Sequence, residues 1–266
     1  MPGPSIWLKV NATACYVLAF LVTTFLHECG HAFTGAWLGS SPVLHHNYVE
    51  HFDRDRLALV EQIWIALAGP LVSLAQGCMC WWVRIRRPGG GIGALLVLWL
   101  AVLGFGNFFG YLMTGPFFTT GDLGKVEVLL GMGMITRIVV ALTGAGVLLF
   151  IMYRATWVFL AFATDKGIVE DPHARVRFNG SIIMLPWLIG SMIVTLLYLP
   201  VIALISIIYP FTSGMVFIFP WRNAERAVGV AASGRPTLLR ASLPLYLALA
   251  IAVVLFRGVL ARGIPL

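Results

Sequence analysis

The sequence predicts an all-α polytopic membrane protein: a bundle of six to seven transmembrane helices in a single membrane-embedded unit spanning residues 1–266. Three observations predict it. Apolar residues make up 59% of the chain and charged residues 11%, against roughly 45–50% and 25% in soluble domains. Mean hydropathy is +0.90. The apolar residues also come in long unbroken runs, whereas barrel strands alternate polar and apolar positions, and lipid accepts only helices and closed barrels. A water-soluble globule, a disordered chain and a disulfide-stapled scaffold are thereby excluded.

A span needs about 20 apolar residues. The first covers roughly 12–38 and ends at Gly39-Ser40; a polar loop follows over 40–56. That first run continues into a polar motif that cleavage would remove or strand, so no cleavable signal peptide is expected. The second span, roughly 58–83, is closed by Arg84, Arg86, Arg87 and the breaker run Pro88-Gly89-Gly90-Gly91. The third covers roughly 92–113. A broken stretch over 114–121 then leads into a short helix starting near Asp122. The fourth span is roughly 134–162, with a polar loop over 164–180. Residues 181–221 hold no charge. As one helix they would measure about 61 Å, twice the hydrocarbon thickness, so two spans with a break near Pro200 are expected. The last span is roughly 238–260.

The net charge is +7. Its cations cluster in loops between apolar runs, which fits membrane orientation and anionic headgroups; nucleic acid is not an expected partner. With seven spans, one side holds Lys9, Arg84, Arg86, Arg87, Lys166, Arg175, Arg177, Arg222, Arg226, Arg235 and Arg240. The other holds Arg54, Arg56, Lys125, Arg257 and Arg262. With six spans the division is 9 against 7 and decides nothing. Cys15, Cys29, Cys78 and Cys80 read as small buried hydrophobes.

The chemistry lies in His27-Glu28-Cys29-Gly30-His31. On a helix, residues i and i+4 share a face, so His27 and His31 can hold one Zn²⁺. Glu28 beside them suits a general base. A charged residue at membrane depth costs roughly 2.5–3.5 kcal/mol even on lenient scales. Such a group persists where it is liganded or lines a water-filled cavity. A hydrolytic zinc site takes three protein ligands and keeps an open position. The expected third is Asp122, because spans one and three run in the same direction and end on the same face. Glu50, Asp53 and Glu61 are its rivals, and Asp122 itself could merely cap its helix.

The phrase Leu26-His27-Glu28-Cys29-Gly30-His31-Ala32 resembles the signature of site-2-protease-like intramembrane zinc metalloproteases. Ala68-Gly69-Pro70-Leu71 is similar to that family's small-residue stretch, and Asp122 in Gly121-Asp122-Leu123-Gly124 to its aspartate-glycine motif. The matches lie in family order over roughly residues 18–130. Two features depart from it. Leu123, not glycine, follows Asp122, and Asn107 is farther upstream than the usual asparagine. The resemblance implies a compact zinc metalloendopeptidase without accessory domains. Its catalytic core would span roughly 12–130, with additional helices over 134–260. His27, His31 and Asp122 would bind the metal and Glu28 would act as general base and acid. It implies a membrane-protein substrate that unwinds locally, and a site on the cytoplasmic side. A transporter or metal-handling protein using the same histidine pair as an ion site is the competing reading.

Several further features admit more than one reading. Gly106-x-x-x-Gly110 and Gly144-Ala145-Gly146 read as helix-packing faces. Asn107 could bond a substrate strand or another helix. His45, His46 and His51 read as solvated loop residues.

Overall fold

The computed structural model describes residues 5–53, 56–199 and 205–266. It is helical, with six helices long and apolar enough to cross a membrane. The chain is thus a multi-pass membrane protein. Helix α1 (Ile6–Trp37) opens with the Ser5 hydroxyl accepting the Trp7 N–H at 3.3 Å and stops before Gly39, whose φ of +85° suits glycine. Helix α2 (Leu59–Arg86) opens with Glu61 accepting the Ala58 N–H at 2.7 Å. Helix α3 (Ile92–Thr114) follows, then the short α4 (Asp122–Leu129) and the long α5 (Met134–Leu160).

The polar stretch expected as a loop over 164–180 is largely helical: α6 (Lys166–Glu170) and α7 (Pro172–Asn179). Asp165 and Asp171 cap them by accepting the N–H groups of Gly167 and His173. α7 continues into α8 (Leu185–Leu197) through a π-turn over Gly180–Met184. Pro186 has no N–H to give the Ile182 carbonyl, and the wider turn absorbs that gap.

Pro200, the expected break, lies outside the described residues. Helix α9 (Ile205–Thr212), a 3-10 segment and α10 (Ile218–Arg222) run antiparallel to α7–α8. Trp187 Nε1 donates to the Pro210 carbonyl at 3.1 Å, and Asn179 Nδ2 to that of Pro220 at 2.9 Å. Gly214 receives the Trp187 ring. This broken return lies alongside α7–α8 and is not one of the six membrane-length helices. Helix α11 (Leu243–Val254) and its continuation to Arg262 make the last one.

Helix α1 is central, packed against α2, α3, α8 and α11. Fully buried Trp99 on α3 meets Tyr16, Phe159 and Phe217 edge-on, joining α1, α3, α5 and the returning segment. Asn11 is buried, donates to the carbonyls of Leu238 and Arg240 and accepts from the Tyr246 hydroxyl. Asn179 is buried as well. Both asparagines thus hold distant segments together inside the bundle. The four cysteines are free, and Cys78 is exposed where the sequence reading buried it.

The 40–56 loop carries a small sheet. Strands β1 (Pro42–Leu44) and β2 (Val49–His51) form an antiparallel hairpin, and β3 (Ile264–Pro265) pairs with the other edge of β1. Strands of two or three residues leave no readable alternation, and the third arrives from the far end of the chain.

Candidate metal centre

The site is built where α1 and α2 touch backbone to backbone. A side-chain carbon on Gly30 would lie 2.8 Å from the Ala68 carbonyl oxygen and 3.0 Å from the Gly69 Cα. One on Gly69 would lie 2.2 Å from His31 Nε2. The two small-residue phrases of the sequence thus face each other, and each must lack a Cβ for the helices to meet.

His27 and His31 project from the last third of α1, both buried. Their Nε2 atoms are 3.1 Å apart. Asp122 Oδ2 lies 2.9 Å from His27 Nε2 and 3.2 Å from His31 Nε2. A tetrahedral ion held at about 2.0–2.1 Å separates its ligand atoms by about 3.3–3.4 Å. The observed triangle is within a few tenths of an ångström of that. Among the described residues, these three are the group able to hold a metal ion. The far ring nitrogens fit the same purpose. His31 Nδ1 is 2.6 Å from the Ile65 carbonyl, which only accepts, so Nδ1 carries a proton and Nε2 is the nitrogen left to face a metal. His27 Nδ1 bonds Ser73 Oγ at 3.1 Å, and the Tyr111 ring stacks on its imidazole.

Asp122 reaches the histidines because the chain folds sharply between α3 and α4. A side chain on Gly124 would come within 2.2 Å of the Phe118 carbonyl oxygen, so the glycine two places after the aspartate is the one the tight fold requires. Burial pushes the Asp122 carboxyl upward. The charge of His31 and the hydrogen bonds of both histidines outweigh it and hold the group well below the usual carboxylate range.

Glu28 is buried beside the triangle and lines a cavity of about 750 Å³. The rival ligands lie elsewhere. Glu50 pairs with His45 at 3.5 Å, Asp53 accepts from the Ser40 hydroxyl at 2.7 Å, and Glu61 caps α2. Asn107 lies on the cavity wall, donates to the Tyr209 hydroxyl at 3.1 Å and keeps a buried Oδ1 with no partner. Gly106 and Gly110 correct the packing reading: they line the cavity, and a side chain on either would meet nothing within 4 Å. Gly144 does pack, against Leu112. His46 is buried between Tyr198 and Phe256, not solvated.

Sequence reasoning missed Ser73, Tyr111 and Lys125, all contributed by the site's own helices. Lys125 lies one turn beyond Asp122 on the cavity wall. Its i+3 spacing from the aspartate was the available signal. No protein-family model, curated protein or solved structure matches this chain.

Proposed function

We propose that the protein is a zinc-dependent intramembrane endopeptidase acting on transmembrane or membrane-adjacent segments of other membrane proteins, with the cell membrane as its location. The observation that carries this reading is the convergence of His27 Nε2, His31 Nε2 and Asp122 Oδ2 at the wall of a large cavity, with the carboxylate of Glu28 beside them.

In this reading His27, His31 and Asp122 hold one Zn²⁺. Zinc, when bound, supplies Lewis acidity that polarises a carbonyl and lets water lose a proton near neutral pH. Glu28 takes the proton from the attacking water as it adds to the scissile carbonyl carbon, then delivers it to the leaving amine as the C–N bond breaks. The Ile65 carbonyl and Ser73 keep the two imidazoles turned toward the centre. A helical substrate hides its carbonyls in internal hydrogen bonds and must unwind to react. Two features support an extended guest. Strand β2 pairs on one side only, and its Val49 lines the cavity. Asn107 Oδ1 offers an unused acceptor.

The test is zinc content and cleavage of a membrane-segment substrate in detergent, with and without Glu28→Gln. The peptidase reading expects about one zinc per chain in both forms and at least a 100-fold loss of cleavage in the variant. Absence of cleavage in both forms, with metal flux in liposomes surviving Glu28→Gln, would establish the ion-handling alternative instead.

A further inference from the structure

We infer that the metal cavity opens on the non-cytoplasmic side of the membrane and that the opposite, basic face rests on the anionic cytoplasmic leaflet. The nature of what enters the cavity rests on the peptidase reading; the sidedness does not.

The number of crossings decides which loops share a face, and we count the return through α9 and α10 as a seventh, because it brings Ala224 and Glu225 back beside Arg175 near the start of α7. Contacts tie the loops at each end together. At the end away from the metal, Asn11 bonds the carbonyls of Leu238 and Arg240, Arg175 bonds those of Ala224 and Glu225, and the Arg235 N–H meets the Gly90 carbonyl. At the metal end, the Leu266 N–H meets the Pro42 carbonyl, and Arg257 bonds the Leu197 carbonyl at the close of α8.

With the loops so assigned, the eleven cations of the first sequence group lie at the end away from the metal, and Arg154, late in α5, joins them. That face carries twelve of the chain's eighteen Lys and Arg residues, against four acidic residues. The metal end has six cations against seven acids, Glu28 and Asp122 included. All the connecting loops are short, the condition under which Lys and Arg excess sets orientation. Anionic lipids of the cytoplasmic leaflet attract such a face, and the transmembrane potential opposes its transfer to the other side. The site is then reached from the outer leaflet. Its guest is a peptide segment presented at the non-cytoplasmic surface, the reverse of the side that the family resemblance implies.

Single cysteines test this in a Cys78→Ser background. Phe52 is exposed beside β2 at the metal end, and Ala231 is exposed at the basic end. Spheroplasts of a bacterial host expressing the full chain are treated with a membrane-impermeant maleimide before and after permeabilisation. Phe52→Cys is expected to label at once, and Ala231→Cys at least tenfold more after permeabilisation than before. The opposite pattern, or equal labelling of both before permeabilisation, overturns the inference. An epitope tag placed after Leu266 on the otherwise unaltered chain gives the same readout without a substitution. Added protease should remove it from intact spheroplasts, and protection of the tag refutes the orientation. Zinc binding and cleavage in detergent do not depend on sidedness, so either claim can fail alone.

Discussion

Replacing Gly69 with alanine puts a methyl carbon where only hydrogen now fits, 2.2 Å from His31 Nε2 and 2.7 Å from two carbons of the same ring. An unstrained contact needs about 3.5 Å, so the imidazole must retreat by more than about 1 Å. Zinc–ligand distances tolerate about 0.2 Å. The ring has little freedom to move, because Nδ1 is held by the Ile65 carbonyl at 2.6 Å. The helices cannot separate without opening the contact between Gly30 and the Ala68–Gly69 backbone. Loss of the His31 ligand follows. Losing a residue that only orients a ligand weakens metal binding about 10–100-fold. Losing the ligand itself should cost at least about 100-fold, or about 2.8 kcal/mol. The assay is competition for zinc with a chromophoric chelator in detergent. Gly93→Ala serves as the control, since a side chain there meets nothing within 4 Å. If Gly69→Ala binds one zinc within threefold of the parent affinity, the account of why α2 carries this glycine is wrong.

Ser73→Ala leaves the fold and His31 untouched but frees His27 Nδ1. Zinc affinity should fall about 10–100-fold, read by the same competition, and an unchanged affinity would remove Ser73 from the site. Glu127 on α4 is buried with both carboxylate oxygens unpartnered, and burial raises its pKa against the opposing pull of Arg137. The folded state therefore binds this proton more tightly than the unfolded chain. Its contribution is present below the ordinary glutamate pKa and is lost as pH rises through the raised value. Glu127→Gln should raise the melting temperature at pH 8 by about 2–4 °C and change it little at pH 4, measured by thermal unfolding in detergent. Equal effects at the two pH values would rule this out.

The His-Glu-x-x-His phrase is legible because four residues of helix bring two imidazoles to one face whatever surrounds them. Asp122 is less legible. Glu50 has an equally suitable carboxylate, and only the fold at Gly124 brings one to the histidines while leaving the other paired with His45. Gly106 and Gly110 look like packing glycines because a small residue in an apolar helix can serve a neighbouring helix or an open cavity. Local sequence does not distinguish the two. The β-sheet was hidden for a different reason: its strands are too short to carry a pattern, and β3 lies more than 200 residues from β1.

By itself the sequence determined the solvent, the helical class, most span positions and the face of α1 that carries the histidine pair. These follow from hydropathy and helical periodicity, which act over a few turns. The tertiary structure decided the path of the broken return beside α7–α8, the partner of the histidine pair and the cavity. Each depends on which distant segments meet, and that is set by close contacts such as Gly30 on Ala68 and Trp187 on Gly214.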